Sequence, residues 1–171
     1  MEAIKDKIAI IGMPGCGKST LGKILAKELK YNFCDMDDYI EKISNKTIPE
    51  LFNEGEEIFR KWETKACIDL VKKERIIISC GGGVVKKEEN IKLFQKDCII
   101  LFIDRSVEDI TMDVNVSTRP LLKDGTFKLY ELYDERYDMY KKAAHVRVEN
   151  SGRIKDVTKE AKLLLKNKIK E

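Results

Sequence analysis

Short runs of apolar, β-branched residues alternate along the chain with longer stretches in which apolar positions recur at helical spacing. Residues 7–11, 32–34, 76–79, 99–103 and 146–148 predict strands. They are mostly unbroken apolar runs, as expected of strands covered on both faces. Helices are predicted over 18–29, 37–43, 55–73, 87–94, 107–113, 127–144 and 155–168. Around the last of these, Ile154, Val157, Ala161, Leu164 and Leu165 fall on one stripe. Strand followed by helix, repeated, gives an α/β fold: a five-stranded parallel sheet with helices on both faces. Such sheets bind ligands beyond the carboxyl ends of their strands. The residues that follow the strands therefore come under suspicion: the glycine-rich turn from Gly12, then Asp35 to Asp37, Gly81 to Gly83, and Asp104 to Ser106.

Composition narrows the class without changing the fold. The 171 residues suit one domain, and 43% hydrophobic content is enough for a substantial core. Thirty-three basic residues nearly cancel 30 acidic ones, leaving +3, which argues against nucleic acid as a partner. No apolar run is long enough to cross a bilayer, and no hydrophobic segment follows the polar residues 1–7, so neither a membrane nor a secretory role is expected. The five cysteines are odd in number, widely spaced and lack a Cys-x-x-Cys pair. That usage fits a reducing cytoplasm and neither a disulfide framework nor a zinc site. No heptad or apolar stripe calls for a partner chain, so a monomer is expected.

Gly12-Met13-Pro14-Gly15-Cys16-Gly17-Lys18-Ser19 matches G-x-x-x-x-G-K-[ST] and lies between a predicted strand and a predicted helix, the context the motif requires. Glycines let successive N–H groups turn inward toward phosphate oxygens, and the helix adds its positive end. Gly15, Cys16 and Gly17 supply that backbone. Lys18 reaches the outer phosphates of a nucleotide, Ser19 offers its hydroxyl to Mg²⁺, and Thr20 adds a contact to the nearer phosphates. Cys16, close to the helix N-terminus, has two readings: a thiol activated by the positive end of the helix, or a residue small enough to fit.

Two acidic candidates could manage the metal. The run ending in Asp104 is hydrophobic, like a metal-binding strand. Ser106 followed by Asp109 reads as a helix cap, however, and that explains the stretch structurally. Asp35 and Asp37 leave the second strand at i and i+2 and point the same way. One can face the metal while the other faces a substrate hydroxyl, and this pair is preferred. One of the two also suffices to cap the helix that follows.

The phosphate loop, Asp35-x-Asp37, Gly55-Glu56-x-x-Phe59-Arg60-x-x-Glu63, Gly81-Gly82-Gly83, Arg119-Pro120-Leu121-Leu122 and Glu135-Arg136-x-x-x-Tyr140 occur in order over nearly the whole chain. Together they resemble the shikimate kinase family. The resemblance implies a fold like that of the nucleoside monophosphate kinases, with a substrate-binding helical region about 37–63 and a lid about 114–125. It implies transfer of the γ-phosphoryl group of ATP to the 3-hydroxyl of shikimate, with Mg²⁺, on the route to chorismate. It further implies that Asp37 binds the hydroxyls and helps deprotonate the attacking one. Arg60 and Arg136 would hold the carboxylate, with Gly81, Gly82 and Gly83 lining the substrate. Asp35 and Ser19 would serve the metal, Arg119 would come from the lid to the phosphates, and Arg153 would lie near adenine.

The chain departs from the family pattern in three places. Ile110 to Val116 contains no arginine where many relatives place one against adenine. The loop at Arg153 lacks a proline, and Arg136 is followed by Tyr137-Asp138-Met139-Tyr140 in place of the usual x-Pro-Leu-Tyr. Bland readings also exist: Arg60 has Glu56 and Glu63 at i−4 and i+3, which fits a surface ion pair. Arg136 could pair with Glu131 or Tyr140, and lone His145 sits at a helix end. Two other functions stay open: a gluconate-type kinase of the same architecture, and a non-catalytic nucleotide-binding module.

Overall fold

The computed structural model describes residues 3–113 and 125–171. Five parallel strands, β1 (Lys7–Ile11), β2 (Asn32–Asp35), β3 (Ile76–Ser79), β4 (Ile99–Asp104) and β5 (Val146–Glu149), form one sheet in the order β2-β3-β1-β4-β5. The apolar runs predicted the five strands and their parallel sheet, and the structure adds their order. β3 and β4 are buried at every position, while β5, on the edge, alternates between buried Val146 and Val148 and exposed Arg147 and Glu149.

Eight α-helices occur among the described residues: α1 (Lys18–Leu29), α2 (Met36–Ser44), α3 (Ile48–Glu54), α4 (Glu56–Leu70), α5 (Glu88–Asp97), α6 (Val107–Asp113), α7 (Gly125–Ala143) and α8 (Ile154–Leu165). The core comprises Ile8, Ile10, Ile11, Leu21, Leu25, Leu101 and Phe102 with their neighbours, all nearly inaccessible. Truncating one such aliphatic side chain to Ala costs about 2–5 kcal/mol.

Helix α3 departs from the sequence reading, which gave no helix there. Thr47 accepts from the Glu50 N–H and Glu50 returns the bond to the Thr47 N–H, a reciprocal cap with Pro49 in the first turn. Gly55, at φ 139°, then separates α3 from α4. A short 3₁₀ turn, Val84–Lys86, also went unpredicted. Helix α8 stops at Leu165, short of 168. The chain then turns at Asn167 (φ 68°), and Ile169 pairs with Lys5.

This topology fixes the location of the site. β1 lies between β3 and β4, so the chain leaves β1 toward one half of the sheet and returns later to build the other. The crevice at that reversal opens beyond Ile11, where the phosphate loop begins. Register places Asp35 beside Ser79, and Ile10 beside Ser79 from the other side.

Candidate active site

The phosphate loop takes a shape that its glycines make possible. Gly12, Gly15 and Gly17 have φ of 151°, 80° and 101°. A Cβ on Gly12 would lie 2.7 Å from both Cys16 Sγ and the Ile103 carbonyl oxygen. Gly17 caps α1 in the left-handed conformation and no side chain caps that end, so the first N–H groups of α1 stay open to an anion. Lys18 Nζ donates to the carbonyls of Gly12 and Met13, both at 2.9 Å, which holds its ammonium over the loop. The Cys16 side chain is buried beneath Gly12. That position fits the reading of Cys16 as a small filler, and its N–H closes the loop on the Met13 carbonyl at 3.1 Å. Thr20 follows on the exposed first turn of α1.

Oxygen donors gather next to the loop. Ser19 Oγ donates to Asp35 Oδ2 at 2.9 Å and lies 3.0 Å from Ser79 Oγ. The other Asp35 oxygen, Oδ1, accepts from the N–H groups of Asp37 (2.9 Å) and Asp38 (3.2 Å) and so caps α2. A single carboxylate thus caps α2 with one oxygen and holds Ser19 with the other, leaving the Asp37 side chain out of the cap. Ser79 was missed by the sequence reading, since its position as the last residue of an apolar strand drew no notice.

Three consecutive glycines shortly after β3 are ringed by charged side chains. A Cβ on Gly81 would sit 3.3 Å from both Asp37 Oδ1 and Glu63 Oε2; on Gly82, 3.4 Å from Arg136 Nη1; on Gly83, 2.6 Å from Arg60 Nη1. Each glycine therefore makes room for a different charged group. Arg60 and Arg136 are buried, 9% and 8% exposed, so Arg60 makes both expected helical pairs, to Glu56 and Glu63, from a largely inaccessible guanidinium. Arg60 Nη1 donates to Glu63 Oε1 at 2.9 Å within the core, while Glu56, also in reach, is half exposed. Tyr140 Oη donates to the Gly82 carbonyl at 2.6 Å, and Pro14 of the phosphate loop would lie 3.0 Å from a Gly82 Cβ. The phosphate loop and the charged cluster thus meet at Gly82.

Burial sets the electrostatics here. Loss of water, and after it the neighbouring Asp35 carboxylate, push the Asp37 carboxyl above the usual carboxylate range. Burial pushes Glu63 up as well, against the pull of Arg60. Glu63 Oε2 and Arg136 Nε are buried without a hydrogen-bond partner among the described residues. A bound polar molecule can satisfy both. Burial also drives the Tyr140 phenol to about 12, which keeps it a neutral donor to Gly82.

The remaining candidates divide. Asp104 is engaged by Tyr137 Oη (2.8 Å) and Arg147 Nε (2.7 Å), and Ser106 Oγ accepts from the Asp109 N–H at 3.1 Å, so that stretch is structural as read. Arg153 is exposed at the N-cap of α8, three residues beyond Asn150, whose side chain touches the loop. His145 does more than end a helix: its Nδ1 accepts the Ile100 N–H at 2.8 Å. Arg119 and the proposed lid up to residue 124 lie outside the described residues.

Known proteins bear on this geometry. A sequence profile of the shikimate kinase family matches residues 14–166. A shikimate kinase of Clostridium beijerinckii is 50% identical over 159 residues, covering 93% of this chain and 94% of that one. The structure of a shikimate kinase from Acinetobacter baumannii in complex with shikimate superposes with a TM-score of 0.86 at 31% identity, over 97% of this chain and 96% of that one. A gluconokinase from Sinorhizobium meliloti reaches a TM-score of 0.61 at 16% identity, over 96% of this chain and 93% of that one, a likeness of fold alone.

Proposed function

The chain belongs to the shikimate kinase family, and from its active-site geometry we propose how it moves the γ-phosphoryl group of ATP to the 3-hydroxyl of shikimate. The observation that carries this reading is the junction at Gly82, where the phosphate loop (through Pro14) meets the guanidinium of Arg136.

The loop amides of Gly15, Gly17, Lys18 and Ser19, in a loop closed by the Cys16 N–H on the Met13 carbonyl, take the phosphates of ATP at the open end of α1, with Thr20 adding a contact. Lys18, released from the carbonyls of Gly12 and Met13, places its charge where the transferring group becomes most negative. Arg60 and Arg136 grip the carboxylate of shikimate, a task that suits planar paired donors. Gly81, Gly82 and Gly83 bring the backbone close beneath the ring. Asp37 accepts a hydrogen bond from the attacking hydroxyl and takes up its proton; its raised pKa makes it a better base than an exposed aspartate. Glu63 fixes Arg60 from below. Arg153 lies toward the adenine, and Arg119 adds a cation to the phosphates by its place in Arg-Pro-Leu-Leu.

The oxygens of Ser19, Asp35 and Ser79 fit a hard divalent cation, which takes oxygen ligands and keeps part of its water. Ser19 would hold Mg²⁺ directly and Asp35 through water. The ion supplies charge neutralisation on the outer phosphates. Residues about 37–63 form the acceptor side and 114–125 the lid of a single domain. Five unpaired thiols, four of them buried, support a protein of the reducing cytoplasm, and the chain is proposed to act as a monomer.

The test is ADP release from ATP with shikimate, with gluconate, and without an acceptor. Turnover with shikimate alone is the expected result; turnover with gluconate, or ADP release indifferent to acceptor, refutes the assignment.

A further inference from the structure

Two side chains outside the nucleotide pocket grip the back of the phosphate loop. Arg105, just past β4, donates from Nη1 to the Gly15 carbonyl at 3.1 Å. Asn150, just past β5, donates from Nδ2 to the Cys16 carbonyl at 2.8 Å. Each is fixed at its other end. Arg105 Nη2 pairs with Asp113 at the end of α6, and its side chain is only 16% exposed. The Asn150 N–H donates to the Asp104 carbonyl at 2.8 Å. The amide of Asn150 sits so close that a Cβ on Gly17 would fall 2.9 Å from Nδ2.

A peptide unit is planar, so holding the carbonyl of one residue orients the N–H of the next. Arg105 on Gly15 orients the Cys16 N–H, which closes the loop on the Met13 carbonyl at 3.1 Å. Asn150 on Cys16 orients the Gly17 N–H at the mouth of α1. Gly15 and Gly17, at φ 80° and 101°, are the most adaptable residues of the loop, so they need external restraint most. Amides aimed before the ligand arrives lose less freedom on binding.

We propose that Arg105 and Asn150 are positioning residues for nucleotide binding, which lock the successive peptide planes Gly15–Cys16 and Cys16–Gly17 from behind. The inference rests on the reading that this loop holds the phosphates of ATP. Arg105 is one of only seven arginines, and it lies close to the loop in a chain with no arginine between Ile110 and Val116. Its charge also favours the polyphosphate.

The test measures ADP binding by titration calorimetry on the full chain without acceptor, shikimate binding separately, and melting temperature. Asn150→Asp is nearly isosteric but turns the donor into an acceptor facing a carbonyl. Asn150→Ala adds no charge and serves if the first does not fold. Arg105→Met removes the second grip, and Arg105→Lys restores a donor and the charge. Each loss is expected to weaken ADP by about tenfold, the worth of one misaimed charge-assisted hydrogen bond. Shikimate affinity should stay within about twofold, and Arg105→Lys should recover most of the loss. ADP affinity within twofold of the parent in both Asn150→Ala and Arg105→Met, or an equal loss of shikimate affinity, overturns the inference. A parent chain that binds no ADP sinks the functional reading together with it; variants that match a binding parent sink this inference alone.

Discussion

Adding one methyl group to Gly83 probes the acceptor pocket with little other disturbance. None of Gly81, Gly82 and Gly83 has a left-handed backbone, and Gly83 sits at φ −95°, which alanine adopts without strain. The cost of Gly83→Ala is therefore steric. The new Cβ crowds Arg60 Nη2 most closely and lies 2.6 Å from Nη1 and 2.8 Å from Cζ, so the guanidinium must retreat by about 1 Å to regain an ordinary contact. It cannot swing freely, because Phe59 packs against it and Glu63 holds Nη1 at 2.9 Å. Stretching that pair by the same distance costs about 1 kcal/mol at an effective dielectric near 20, and the spoiled hydrogen-bond geometry adds a similar amount. A loss of about 1–3 kcal/mol corresponds to a rise in the KM for shikimate of roughly five- to 150-fold. The KM for ATP should barely move, since Arg60 takes no part in the phosphate loop. Gly81→Ala, whose Cβ meets Asp37 and Glu63 at 3.3 Å, should be milder, with Gly82→Ala between the two. Steady-state kinetics on the three variants, with melting curves as a folding control, measures the order. A KM for shikimate unchanged in Gly83→Ala would show that Arg60 does not hold the acceptor.

Asp37→Asn should lower kcat by at least about a hundredfold while ADP still binds. In the parent, the ionised Asp37 is the working form and its pKa is raised, so kcat should fall with acid through a limb above the ordinary aspartate value of about 4; a limb at or below that value contradicts the role. Asp35→Ala should cost about 1 kcal/mol of stability through the lost cap of α2 and also raise the Mg²⁺ requirement. Asp35→Asn should keep the cap and raise only the Mg²⁺ requirement, and equal metal dependence in all three proteins counts against the site. Arg136→Ala should weaken shikimate by roughly 2–5 kcal/mol, read by calorimetry, because its partner carboxylate would be left desolvated; undiminished affinity would relocate the acceptor.

Periodicity made the sheet legible, because strands buried on both faces cannot avoid reading as apolar runs. The phosphate loop was equally legible, since its function constrains neighbouring positions. Helix α3 was missed because the reading followed apolar periodicity and not caps, though Thr47-x-x-Glu50 with Pro49 spelled out its start. Glu63 was visible only as a helical neighbour of Arg60, and spacing alone cannot distinguish a solvated pair from a buried one. Ser79, Arg105 and Asn150 act across 60, 90 and 134 residues of chain. No local pattern encodes such contacts; they exist only once strand order has brought the ends of β3, β4 and β5 around β1.

Because Gly82 lies between Pro14 of the phosphate loop and Arg136, it gives the two sites a physical route for coupling. If a filled triphosphate pocket presses Pro14 against Gly82 and sharpens the grip of Arg136, shikimate must tighten the nucleotide by the same factor, since linkage between two binding equilibria is reciprocal. A mimic of either ligand would then draw part of its strength from the other, and its apparent potency would vary with the concentration of its neighbour.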